Sequence, residues 1–293
     1  MIQKNNTKNE DVTKIDWGLK ILHNKLLEML IDLHNFCVQH DIEYCLAYGS
    51  ALGAVRHGGF IPWDDDVDIY MDAYNYDLFE KAFSKYGNKD KYYLQNVGKR
   101  HKSTCLSKIR MNGTTFIEPI SKNLDIHHGI YIDVFVLHDC PNVSFEVMKK
   151  RMASNYLSIK RLSNLHYSRR KLWRPILALL RFFPSDFGRE KAELILSKHD
   201  GLNYKYYFDS EYKANSQIYP KKLLFPAKKM SFQGATLKVP RHVEKYLTII
   251  YGDYMNVPSK EQIEWSIHAG EWYVDKDFRE ILKGEFVFKD EVL

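Results

Sequence analysis

The chain has 293 residues, with 43 Lys and Arg against 37 Asp and Glu and a formal charge of +6 at neutral pH. At 45% hydrophobic and 27% charged it has the composition of a globular protein, which excludes the disordered, fibrous and low-complexity classes. Cys37, Cys45, Cys105 and Cys140 form no C-x-x-C pair, and no apolar run approaches the ~20 residues of a membrane span, so zinc ribbon, disulfide scaffold and integral membrane protein are not expected.

Residues 1–15 are polar and expected to be disordered, and the polar N-terminus has no apolar core of a signal peptide. From Asp16, a plausible N-cap, Leu19, Leu22, Leu26, Met29, Leu33 and Phe36 recur at three- and four-residue spacing and predict a long amphipathic helix. Ile42 to Tyr48 reads as a strand that ends at Gly49-Ser50, with a short helix from Ala51 to Arg56. His57 to Trp63 is rich in breakers and reads as loop. Val67, Ile69 and Met71 alternate with Asp66, Asp68 and Tyr70, the period of a strand with one face in a core. A helix follows over 73–86, then strands at 92–95, 107–111, 114–117 and 129–135. After Pro141 the chain is basic and helical to about Pro184, and beyond Gly201 it is Tyr-rich and irregular. A strand pair is expected around 230–239, with helices at 241–251 and 262–282. The expected fold class is α/β (α+β): a mixed-sheet core at 16–140, a basic helical segment at 141–218 and a C-terminal part, 219–293, packing on the core.

Charge is concentrated in two places. Met148 to Arg181 carries ten positive charges and no acid, and removing that +10 from +6 leaves the other 259 residues at −4. Ile61 to Glu80 carries seven negative charges and no Lys or Arg. Like charge gathered in one segment marks either a solvated face or a site for a counter-charge.

Residues two apart on a strand share a face, so Asp66 and Asp68 project together. Paired carboxylates repel unless a cation lies between them, and hard oxygen ligands suit Mg²⁺ or Mn²⁺ alongside substrate phosphates. A third acid, Asp133, lies in the apolar run Ile130 to Phe135, where an unpartnered carboxylate is costly to bury. Gly49-Ser50, at a strand end and helix start, offers backbone N–H groups to a phosphate. Taken singly, an Asp-rich run is often a solvated loop and a Gly-Ser pair a turn. An EF-hand loop is excluded, because its sixth position would be Ile69 and its twelfth Asn75. Lys108 and Arg110, two apart, read as phosphate partners or as a solvated strand face. His127 and His128 are expected on a surface loop, and Trp63 with Pro62 is expected to shape the signature loop.

The run Tyr48-Gly49-Ser50-Ala51-Leu52-Gly53-Ala54-Val55-Arg56-His57-Gly58-Gly59-Phe60-Ile61-Pro62-Trp63-Asp64-Asp65-Asp66-Val67-Asp68 resembles the signature of the LicD family of phosphorylcholine transferases, related to fukutin-related protein. The likeness extends through Lys108-Ile109-Arg110, Thr115 to Glu118, Gly129 to Phe135, Phe225-Pro226 and Tyr251 to Met255, and so over most of residues 20–270. It implies a nucleotidyltransferase-like fold and transfer of a phosphate-linked alcohol, phosphocholine foremost, from a CDP-alcohol donor to a glycan or lipid-linked glycan, with Mg²⁺ (or Mn²⁺) and release of CMP. Asp66, Asp68 and Asp133 are the implied catalytic and metal residues. Gly49, Ser50, Arg56, His57, Lys108 and Arg110 are the expected donor-phosphate contacts, and Asp64, Asp65, Trp63, Glu118 and His268 complete the candidate site. Phosphoglycerol or phosphoribitol transfer, NMP transfer, and a catalytically silent glycan-binding homologue stay open.

Arg169 to Phe183 combines Lys and Arg with Trp173 and a dense apolar run too short to cross a bilayer. It reads either as an interfacial helix beside anionic lipid or as a core helix with snorkelling arginines. The expected location is therefore cytoplasmic, with peripheral contact at the inner membrane face. No recognition motif supports nucleic-acid binding.

Overall fold

The computed structural model describes residues 12–96, 106–141, 144–164, 185–197, 204–210, 218–264 and 270–282. In chain order its elements are α1 (Lys20–Gln39), β1 (Cys45–Leu46), α2 (Tyr48–Arg56), β2 (Asp68–Asp72), α3 (Ala73–Tyr86), β3 (Tyr92–Gln95), β4 (Ser107–Met111), β5 (Thr115–Ile117), β6 (Tyr131–Cys140) and α4 (Ser144–Asn164). There follow α5 (Ser185–Ser197), β7 (Tyr206–Asp209), β8 (Ile218–Pro220), α6 (Lys221–Leu224), β9 (Lys228–Phe232), β10 (Ala235–Val239), α7 (Val243–Tyr251), α8 (Lys260–Glu264), β11 (Glu271–Tyr273) and α9 (Phe278–Ile281).

The main sheet runs β1-β2-β6-β4-β3, and β7, carrying β8, pairs with the far half of β6. β2 and β6 are parallel, and the other pairs are antiparallel, so the expected α+β class with a mixed sheet is what the chain forms. Alternation decides the faces. Ile69 and Met71 of β2, Ile132 and Val134 of β6 and Ile109 of β4 are buried and join the main core with Leu22, Leu26, Met29 and Leu33 of α1 and Phe79 and Phe83 of α3. The polar face of the same strands carries Asp68, Asp133 and Lys108, flanked by α2 and α7, which pack on each other. β4 lies between β3 and β6, and all five of its residues are buried, so both faces of the sheet are covered there.

Several boundaries differ from the sequence expectation. Asp16 does not cap α1; its carboxylate accepts from the Gly18 N–H at 2.8 Å, and Gly18 at φ +72° delays the helix to Lys20. Tyr48, Gly49 and Ser50 already belong to α2, so the Gly-Ser pair sits in the first helical turn and the preceding strand shrinks to Cys45–Leu46. The expected helix at 262–282 breaks into α8, β11 and α9, because Glu271–Tyr273 pairs antiparallel with β5. The Tyr-rich stretch beyond Gly201 supplies β7 and β8, which extend the main sheet. His127 and His128 are not on the surface; both are at most 2% exposed. His268 and residues 169–183 lie outside the described residues.

Candidate active site

Register brings the acids together. Asp68 on β2 stands directly opposite Asp133 on β6, and Lys108 on β4 stands opposite Asp133 on its other side. Asp66 precedes β2 by two residues, so it shares the face of Asp68. One carboxylate oxygen from each of Asp66, Asp68 and Asp133 lies within 4.8 Å of the others. Three carboxylates at that separation strongly disfavour simultaneous ionisation. Burial, followed by the charges of Asp66, Asp133 and Asp64, drives the Asp68 carboxyl well above its ordinary range.

The same row continues through a cation. Lys108 Nζ lies 2.9 Å from Asp133 Oδ1, 3.6 Å from Glu118 Oε2 and 3.3 Å from the centre of the Tyr131 ring. Despite that ion pair, the buried Oδ1 of Asp133 accepts no hydrogen bond of good geometry. Three convergent hard oxygens are a donor set that fits a divalent cation. Arg110 is 1% exposed rather than on a solvated strand face. Its Nε donates to Gln95 Oε1 at 2.7 Å and its Nη1 to the Gly129 carbonyl at 3.0 Å, so the guanidinium is set inside the sheet.

The signature loop is built around α2. Ser50 Oγ accepts from the Asp68 N–H at 2.9 Å, tying the first turn of α2 to the start of β2. A Cβ on Gly49 would fall 2.5 Å from Asp64 Oδ2, so only glycine lets the Asp64 carboxylate lie against the helix start, where the dipole favours an anion. Gly53 is equally constrained, because a Cβ there would meet the Gly59 carbonyl at 2.4 Å. Arg56 donates to His57 Nε2 at 2.9 Å and to the carbonyls of Tyr254 and Asn256 at 3.0 and 3.2 Å, and its guanidinium lies 5.9 Å from the Trp63 ring centre. Arg56 thus clamps the loop to the turn after α7. His57 packs edge-on to Trp63, and burial with the Arg56 charge lowers its pKa.

Two groups in this region escaped the sequence reading. His23 of α1 contacts the Asp64 carbonyl through Nε2 at 2.7 Å and stacks on Phe60, while burial lowers its pKa against the opposing influence of Asp64 and the buried Asp65. A histidine on an amphipathic helix gives no sign of this contact. The second group is Asp209 on β7, 1% exposed, which accepts from Tyr48 OH and from Tyr70 OH, the latter at 2.7 Å. The criterion that picked Asp133, a lone acid in an apolar run, also picks Asp209 after Tyr206, Tyr207 and Phe208.

The site is a group of converging acids on a mixed sheet beside a glycine-led helix, and the likenesses of the chain support a transferase. Residues 41–139 match the family model described as LicD/FKTN/FKRP, nucleotidyltransferase domain, and the chain therefore carries a LicD-family domain. Over 258 residues, 80% of this chain and 90% of the relative, it is 27% identical to "Lipopolysaccharide cholinephosphotransferase LicD" of Haemophilus influenzae. Shorter likenesses are to the uncharacterized proteins RT0683 of Rickettsia typhi, 34% identical over 23% of each chain, and RP689 of Rickettsia prowazekii, 46% identical over 15% of this chain and 16% of that one.

Proposed function

We propose that the protein is a metal-dependent phosphotransferase that moves a phosphate-linked alcohol, phosphocholine foremost, from a CDP-alcohol to a hydroxyl of a surface glycan or its lipid-linked precursor. The observation that carries this reading is the register of Asp68 against Asp133, with Asp66 in reach of both. The substrate class rests on the likeness to the Haemophilus influenzae relative, which matches this chain over most of both lengths.

Asp66, Asp68 and Asp133 would hold Mg²⁺ or Mn²⁺, which supplies charge neutralisation on the donor phosphate oxygens. Their mutual closeness favours a ligand role for Asp133 over that of a base on the acceptor hydroxyl. Lys108, paired with Asp133 at the edge of the triad, would steady the departing CMP phosphate once Asp133 is otherwise neutralised. The first turn of α2, with Gly49 and Ser50, is assigned to the donor phosphates, and Asp64 is the anion they displace there. In the transfer the acceptor hydroxyl oxygen forms the new P–O bond and gives up its proton to solvent water, the bond to the CMP oxygen breaks, and CMP leaves as the dianion. Arg56 and His57 act through loop structure, given the carbonyls that Arg56 holds. Acting on a lipid-linked acceptor, the enzyme would work in the cytoplasm at the inner membrane face. Among the described residues no helix is long and apolar enough to cross a membrane.

The test is a panel of CDP-choline, CDP-glycerol and CDP-ribitol with Mg²⁺ and a glycan acceptor, read by CMP release. CMP release dependent on both acceptor and metal, and highest with CDP-choline, is expected. Pyrophosphate release from a nucleoside triphosphate would move the assignment to NMP transfer. No release from any donor by the folded, metal-loaded protein would refute the enzymatic reading.

A further inference from the structure

Helix α4 buries one side against α5 and the sheet, through Val147, Lys150, Ala153 and Ser154. Lys150 Nζ donates to the Ile195 carbonyl at 3.1 Å, and Ser154 Oγ donates to the Ser210 carbonyl, so this side is held by polar contacts as well as packing. The opposite side is unusual. Phe145, Met148, Met152 and Ile159 are 57%, 49%, 65% and 42% exposed. At 3.6 residues per turn these four fall within about 60° of arc and form a stripe about 21 Å long. Single exposed apolar residues are ordinary, but four large ones in line on one helix face mark an interaction surface.

Charge identifies the occupant. Residues 144–164 hold five basic residues and one acid, Glu146, and residues 165–184 continue with five more basic residues and no acid. Lys149 borders the stripe, its Nζ 4.4 Å from the centre of the Phe145 ring, while Glu146, the lone acid, is paired with that lysine at 2.7 Å. An apolar stripe on a helix of net positive charge, within a strongly basic stretch of the sequence, is the pattern of a helix that lies in the plane of an anionic lipid surface. We propose that the Phe145–Ile159 face of α4 docks the protein on anionic membrane. This docking face lies within residues 145–159 and does not depend on the catalytic assignment.

The experiment is co-sedimentation of the full chain with vesicles of phosphatidylcholine, with and without phosphatidylglycerol. Wild type should bind the anionic vesicles and release at high salt. The double variant Phe145→Ser/Met152→Ser should bind at least about tenfold more weakly, given the apolar area removed, with an unchanged melting temperature and unchanged CMP release on a water-soluble acceptor. Equal binding by wild type and variant overturns the proposal, as does no binding of wild type at low salt. So does a wild-type dimer that the variant converts to monomer without change on vesicles, which would make the face a self-association surface. A melting temperature lowered by several degrees in the variant would show instead that the chain itself covers the stripe.

Discussion

Asp68→Asn should abolish transfer and yet stabilise the metal-free protein. Burial and the charges of Asp66, Asp133 and Asp64 raise the Asp68 carboxyl well above its ordinary value in the fold. A carboxyl with a raised folded pKa favours the fold fully below the unfolded value and loses that contribution as pH rises through the folded value. At neutral pH without metal, Asp68 therefore opposes folding, and asparagine removes the opposition. Two unit charges at the 4.8 Å limit of the triad repel by about 3.5 kcal/mol at an effective dielectric of about 20. Lys108 compensates Asp133 at 2.9 Å, which leaves the repulsion from Asp66, and solvent at the half-buried Asp68 reduces it to about 1–2 kcal/mol. At about 2–4 °C per kcal/mol for a chain of this order, the metal-free variant should melt about 2–8 °C higher. Mg²⁺ or Mn²⁺ should then raise the wild-type melting temperature, by about 2.7 kcal/mol of stability at a hundredfold excess over the dissociation constant, and barely move the variant. The assay is thermal melting in chelator and in metal, beside CMP release. A variant that melts lower than wild type in chelator, or that gains as much from metal, would refute the assignment of Asp68 as a ligand held against its neighbours.

Lys108→Met leaves Asp133 and Glu118 in a buried setting without their shared cation, so stability in chelator should drop by about 3–5 kcal/mol, and saturating Mg²⁺ should recover part of the loss. Melting curves with and without metal check this, and an unchanged curve in chelator would show that the ion pair contributes nothing. Gly53→Ala places a methyl 2.4 Å from the Gly59 carbonyl and 3.2 Å from the Ile61 nitrogen, both backbone atoms that cannot swing aside. It should cost about 1–3 kcal/mol and weaken metal binding, because the displaced loop leads into Asp64 to Asp66; calorimetric titration with Mn²⁺ measures the second effect. Burial, with a smaller contribution from the Arg110 charge, lowers His128 to about 4 despite its contact with the Leu124 carbonyl. Its contribution to stability is present above the unfolded value of 6.5 and is lost as pH falls from there toward 4, by roughly 2 kcal/mol at pH 5. In His128→Leu the difference in stability between pH 7.5 and pH 5 should shrink by about that amount, as read from denaturant titrations at the two pH values.

The triad was legible because each member left a local trace: Asp66 and Asp68 by spacing on a period-two strand, Asp133 by its apolar neighbours. What brings them into reach is the parallel pairing of β2 with β6, a contact between segments more than sixty residues apart that no local pattern encodes. Lys108 and Arg110 show the same limit. Their spacing revealed a shared face, but whether that face was wet depended on β3 and β6 closing over β4 from both sides, and there they became buried partners of Asp133 and Gln95. The helix expected at 262–282 failed for a related reason, since Glu271 to Tyr273 gains a strand partner in Thr115 to Ile117 that local spacing could not show. The Gly-Ser pair was correctly seen as a junction, but its helix starts at Tyr48, whose N–H finds Tyr246 OH at 3.0 Å across nearly two hundred residues.

The acidic run from Asp64 to Glu80 reads in sequence as one negative pole awaiting one counter-charge, and the fold divides it. Asp66 and Asp68 go to the triad. Asp64 rests against Gly49 at the start of α2, and Asp65 is buried on the side of His23. Asp72 caps α3 by accepting from the Asn75 N–H at 2.8 Å, and its other oxygen accepts from Tyr207 OH at 2.8 Å, stitching β7 to the helix. Asp77 pairs with Lys81 one turn on, and Glu80 accepts from Asn96 Nδ2 at 2.6 Å. Asp72, Asp77 and Glu80 are therefore each matched within the chain by a donor, and the repulsion that raises Asp68 comes from Asp66, Asp133 and Asp64 at the strand end. On strands whose register fixes their spacing, Asp66, Asp68 and Asp133 form a group that could hold a metal ion. The density of acids in the sequence overstates the site; their distribution over the fold locates it.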